Sequence, residues 1–204
     1  MKYAKYFGIS LAIIALDQLV KMLVYFNMDY GLMGQIQVFG NWFKLHYTLN
    51  PGMAFGLEIG SEYGKLILTL GRLIVMTGLV FVMAKLIREG KSHTGFLYCL
   101  SLILGGAVGN VIDSTFYGIW LNNAPVGVPT PWFHGQVIDM FYVDIWEGMV
   151  PEWIPFLGGQ YYSLWPIFNI ADASIFCAIL ALALFQNKLF KPLEPSKPEE
   201  NIVA

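Results

Sequence analysis

The chain has 204 residues, 56% hydrophobic and 13% charged, with a formal net charge of -2 and a mean hydropathy of +0.57. A soluble domain carries about a quarter charged residues, so this composition reads as an integral membrane protein. A near-zero charge without a basic cluster offers nothing to a nucleic-acid partner. The two cysteines, Cys99 and Cys177, fall in apolar runs and read as small buried hydrophobes.

The first predicted span, roughly 6–26, begins after Lys2 and Lys5. It resembles a secretory leader but has no small-residue cleavage site, and Asp17 and Lys21 interrupt it, so it reads as a retained helix. Asp17 and Lys21 stand i,i+4 with the acid first, the favourable order for an ion pair on one helix face. A first loop, 27–64, follows. Its stretch from Val38 to Tyr47 alternates as a β pair or small curved sheet does, and a Gly/Pro turn comes next. The second span is 65–87, with Arg72 in its outer half, and the third is 95–117, with Asn110 and Asp113 near its end. The segment 118–166 is long and rich in Trp, Tyr, Phe, Pro and Gly; its tryptophans suit the headgroup layer. The fourth span is 167–189, and a polar tail, 191–204, reads as disordered. The expected fold is therefore an all-α membrane protein of four transmembrane helices. It forms a single domain over 1–204, with a small β-type element in the first outer loop and a long aromatic second loop.

Lys2 and Lys5, then Lys85, Arg88 and Lys91, then Lys188, Lys191 and Lys197 flank the spans at one end, while 118–166 has no Lys or Arg at all. The positive-inside rule puts both termini in the cytoplasm and both long loops outside.

With that orientation the intramembrane polar residues share one outer layer, and the inner halves are apolar. Asp172 would lie about 8 Å below the outer surface, with no basic residue within a turn and small neighbours, Ala171 and Ala173. A buried carboxylate without a cation takes up a proton, shares one or opens onto water. Two carboxylates sharing a proton can activate water and protonate a carbonyl. Asp113 and Asp139 are both candidates for the second acid, and physical reasoning alone does not choose. The bland readings are an ion pair for Asp17 and Lys21, helix-packing glue for Asn110 in GGAVGN, snorkelling or carboxylate neutralisation for Arg72, and surface positions for His46, His93 and His134.

These residues resemble the lipoprotein signal peptidases (type II signal peptidases), four-helix inner-membrane aspartyl proteases. ALDQLVKMLV carries an Asp-Gln-x-x-Lys motif. LNPGMAFG, GGAVGNVID, GQVIDMF and FNIADASI follow in the family's order. The resemblance implies Asp139 and Asp172 as the catalytic pair. It makes Asn50, Gly52, Asn110, Asp113, Asn169 and Ala171 substrate-binding or supporting residues, with Asp17 and Lys21 supporting the helix 1 end of the pocket. The implied substrate is a diacylated prolipoprotein signal peptide cut before the lipidated Cys, by a monomer in contact with membrane lipid, with no metal or cofactor. Two features depart from the pattern. Ser114 stands where the family has Arg, a role Arg72 could take over, and the links from Asp113 to Asp139 and from Asp144 to Trp165 are long. The extra residues read as a lid or membrane-resting elaboration, and Asp144 is the alternative acid on the same segment. The competing reading is a small transporter or proton-conducting module. It would require polar groups along the whole path or at midplane breaks, which the inner halves lack.

Overall fold

A computed structural model describes residues 2–51, 64–154 and 158–191. Three helices in it are long and apolar enough to cross a membrane: α1 (Lys2–Asn27), α2 (Gly64–Glu89) and α3, which runs Thr94–Ile112 and continues through a π-helical turn, Asp113–Tyr117, to Trp120. Each lies within four residues of its predicted bounds. The fourth differs. α4 (Ile170–Leu184) has 15 residues, and a separate turn, α5 (Gln186–Leu189), follows it. At 1.5 Å per residue α4 rises about 22 Å, short of a hydrocarbon core of about 30 Å. The expected span at 167–189 is thus corrected at both ends. Asn169 caps the helix and delays its start, and Phe185 leaves helical geometry at φ -111°.

α3 is the central helix, packed against α1, α2 and α4. Its glycines explain the close approach. A Cβ at Gly105 would stand 2.8 Å from Ile13 Cβ and 2.9 Å from the Ser10 carbonyl of α1. One at Gly106 would run into the Ala171 carbonyl of α4 and stand 2.6 Å from Ser174 Oγ. Lipid tails are as apolar as leucine, so such van der Waals contact, rather than water exclusion, holds membrane helices together. Tyr6, Met83, Ile87, Leu97, Leu100 and Leu104 fill the space between α1, α2 and α3 toward the lysine-rich end. Cys99 is buried as expected; Cys177 is exposed, on the outer face of α4.

The opposite end carries a three-stranded antiparallel sheet in the order β1 (Ile36–Phe39), β2 (Phe43–Asn50), β3 (Val137–Val143). The first two strands are the pair expected in the first loop. The third comes from 118–166, where no strand was expected. Val137, Ile138, Asp139 and Met140 are all buried, on both faces of the sheet. A strand covered on both sides loses the period-2 alternation by which strands are recognised. A short hairpin, β4 (Glu147–Met149) with β5 (Tyr161–Ser163), makes up more of that segment.

Residues 121–136 form a strap over the end of α3. Asn123 and Gln136 close it with three reciprocal bonds of 2.8–3.0 Å. Phe133 N–H and Gly135 N–H donate to the Thr115 and Ser114 carbonyls, at 3.2 and 3.0 Å. Carbonyls near a helix end need such partners, and α2 joins in through Thr69 Oγ1, which donates to the Phe133 carbonyl at 3.1 Å. The strap buries His134 completely, correcting its expected surface position. The tail at 192–204 lies outside the described residues.

Candidate active site

Two chain segments meet where β3 touches the start of α4. Phe168 bridges Phe141 in antiparallel fashion: Phe141 N–H donates to the Phe168 carbonyl at 2.8 Å and receives the reverse bond at 3.0 Å. This bridge sets Asn169, the next residue, against Asp139, two residues back along β3. Asn169 then starts α4 with a reciprocal cap. Its Oδ1 accepts the Asp172 N–H at 2.9 Å, and its own N–H donates to Asp172 Oδ2 at 3.4 Å. Asp172 is therefore the third residue of its helix, in the first turn, where the unpaired N–H groups favour negative charge. That is closer to the helix end than the depth expected from a start at 167. An Asn followed three residues later by an acid is a helix-start signature, so the correction was readable.

Asn169 is the hinge of the site. Fully buried, it donates through Nδ2 to Asp139 Oδ1 at 2.6 Å while capping Asp172. Asp139 Oδ2 also accepts from Asn50 Nδ2 at 3.1 Å, from the end of β2. Asp172 Oδ1 accepts from Asn110 Nδ2 at 2.8 Å, from α3. Four elements thus contribute two carboxylates and three asparagine amides. Asp139 is 2% exposed. Burial, and after it the charge on Asp172, pushes its carboxyl up to about 7. A neighbouring negative charge makes a second ionisation harder, so Asp139 holds its proton in the presence of Asp172.

Beside this lies an ion cluster. Lys21 Nζ meets Asp17 at 2.7 Å and Asp113 at 2.6 Å, with all three side chains fully buried. The expected i,i+4 pair is present, and Asp113 is part of it. Asp113 also accepts from Gln18 Nε2 at 2.9 Å, and Gln18 in turn accepts from the Tyr117 hydroxyl at 2.9 Å. Sequence reasoning gave Gln18 and Tyr117 no role; the only signal was the Gln in Asp-Gln-x-x-Lys. Asp17 Oδ1 accepts the Ala171 N–H at 2.9 Å, which ties α1 to the start of α4. Ala171 is fully buried at this crossing.

The other candidates lie elsewhere. Asp144 is at the far end of β3, paired with Lys44 at 2.6 Å. Asp113 is spent on Lys21 and Gln18. Arg72, half-buried on α2, and Lys21 on α1 both interact electrostatically with Asp172, so the cations missing from the Asp172 sequence neighbourhood come from other helices. Ser114 is fully buried under the strap; its carbonyl holds Gly135 N–H. His46 contacts Gln35, and His93 Nδ1 caps α3 by accepting Gly95 N–H at 3.1 Å. Gly52 lies outside the described residues.

Known proteins resemble this chain over most of its length. The family model described as signal peptidase (SPase) II matches residues 9–187. A lipoprotein signal peptidase of Amoebophilus asiaticus is 49% identical over 183 residues, covering 90% of this chain and 78% of the relative. One of Porphyromonas gingivalis is 40% identical over 180 residues, covering 83% and 77%. Among solved structures, a bacterial membrane enzyme superposes with a TM-score of 0.59 over 91% of this chain and 94% of its own, at 22% identity, a likeness of fold.

Proposed function

The chain belongs to the signal peptidase II family, and on that premise we propose that it is an aspartic endopeptidase. It cleaves the signal peptide from diacylglyceryl-modified prolipoproteins just before the lipidated Cys. Asp139 and Asp172 are the catalytic pair, in an enzyme of the bacterial inner membrane. Both termini are cytoplasmic, and the site faces outward under the sheet. The observation that carries this reading is the single carboxamide, Asn169, that bonds Asp139 and caps Asp172. It supports a pair built as one unit, and Asp113 and Asp144 have partners of their own.

The environments of the two acids divide their roles. Asp172 sits at a helix N-terminus, accepts from Asn110 and the Asn169 N–H, and lies in the field of Arg72. All of these work against the burial that disfavours its anion. Asp139 is buried on a strand and holds its proton to about 7. Asp172 is then the base that takes a proton from water, and Asp139 is the acid that protonates the scissile carbonyl. As the tetrahedral intermediate collapses and its C–N bond breaks, Asp172 passes its proton to the leaving amine and Asp139 regains one from a gem-diol hydroxyl, which restores the pair.

A pH dependence follows. The acid must be protonated, so turnover falls as pH rises through the Asp139 value of about 7. The base must be ionised, so turnover also falls in acid, which gives a bell whose limbs belong to the pair. Turnover of a purified diacylated prolipoprotein, followed by gel shift from about pH 5 to 9, checks this. A rate that holds level through pH 7 to 9 would remove Asp139 from the role of acid.

A further inference from the structure

We propose that Lys21 is a positioning residue for Asp172, acting through the Asn110 carboxamide, beyond its part in an ion pair. The inference rests on the reading of Asp139 and Asp172 as the catalytic pair. Asn110 Oδ1 receives two donors, Lys21 Nζ at 3.1 Å and Asn169 Nδ2 at 3.2 Å. An ammonium has nothing but protons to offer. The Asn169 amide is oriented as well, because its Oδ1 is held by the Asp172 N–H. Turned over, the Asn110 amide would set its NH2 against these donors and its oxygen against the Asp172 carboxylate. The ammonium therefore fixes which face of Asn110 meets Asp172, and Nδ2 donates to Oδ1 at 2.8 Å.

Lys21 is itself held. Asp17 and Asp113 grip the ammonium at 2.7 and 2.6 Å. Asp17 reaches past it to the Ala171 N–H, one residue before Asp172. The same cluster therefore locates the catalytic carboxylate twice, through the α4 backbone and through its amide donor. A structural pair on α1 alone needs none of these contacts.

The test is a mutant cycle on turnover of a diacylated prolipoprotein. Its variants are Lys21→Met, Asn110→Ala, the double variant and Asp172→Asn, with kcat and KM measured separately and melting followed in detergent. Lys21→Met, Asn110→Ala and the double variant are each expected to lose about a hundredfold in kcat, the cost of a misplacement of about 1 Å. KM should stay near its original value, and the double variant should be no worse than Asn110→Ala. Losses that multiply would show that Lys21 acts independently of Asn110 and overturn the proposal, as would normal kcat in Lys21→Met. Lys21→Met/Asp113→Asn keeps the cluster's net charge and guards against unfolding. It should fold and remain equally slow. Failure of both to fold would make the ammonium a scaffold element and sink the relay. Asp172→Asn separates the premise: normal turnover there refutes the catalytic pair itself, whereas inactivity there beside a fast Lys21→Met refutes only the relay.

Discussion

Asp139→Asn and Asp172→Asn will each abolish cleavage of a diacylated prolipoprotein, by at least about a thousandfold, and neither will unfold the protein. An amide has nearly the shape of a carboxyl group but can neither take nor give a proton in turnover. The two variants differ in stability. Asp139 carries its proton in the fold up to about 7, against 3.8 for an ordinary aspartate. Between those values the folded chain binds more protons than the unfolded one, so rising pH destabilises the fold, and above about 7 the full cost is present. Asp139→Asn removes that cost. On the order of a few kcal/mol is recovered at about pH 8, less about 1 kcal/mol because one of its two amide donors loses its acceptor. The gain should vanish near pH 4, where the wild-type acid is neutral too. Melting curves at the two pH values, beside the gel shift, check both halves. Retained cleavage in Asp139→Asn with loss in Asp144→Asn would move the acid to the far end of β3, against the Lys44–Asp144 pair.

The long apolar helices were legible because a run of about 20 apolar residues matches the thickness of a bilayer, and a globular core seldom asks for one that long. α1, α2 and α3 accordingly fall near their expected bounds. The end of α3 was less legible. Its π-helical turn and the strap over it depend on backbone contacts between Ser114–Thr115 and Phe133–Gly135, which leave no residue pattern. β3 hid because burial on both faces erased its alternation. The site was half legible. Costly residues, Asp172 above all, stood out against an apolar background, and the motif order suggested Asp139 as the second acid of the proposed pair. The routes between them could not be read. Lys21 to Asn110 spans 89 positions and Asn169 to Asp139 spans 30, and only packing closes those distances. Spacing along α1 pointed from Lys21 to Asp17 but to neither Asp113 nor Asn110.

Packing precision makes the second large effect. Gly109→Ala will cost about a hundredfold in turnover, and Gly78→Ala nothing. A Cβ at Gly109 would stand 2.6 Å from Asp17 Oδ2 and 3.3 Å from Ala171 Cβ, inside the crossing of α1, α3 and α4. Asp17 is gripped by Lys21 on one side and by the Ala171 N–H on the other, so it cannot swing away without releasing one of them. Overpacking of this kind costs about 1–3 kcal/mol in stability. The larger effect is kinetic: displacing the start of α4 by a fraction of an ångström carries Asp172 away from Asn110, and a shift of about 1 Å is worth about a hundredfold. Gly106→Ala should behave the same way, since its Cβ would stand 2.6 Å from Ser174 Oγ and 2.7 Å from Ile175 Cγ1 on α4. On α2, a Cβ at Gly78 meets nothing within 4 Å, and alanine there gains up to about 1 kcal/mol of helix preference. The three variants share one chemical change and differ only in what surrounds it. Equal turnover and equal melting across all three would show that the glycine crossing does not set the position of Asp172.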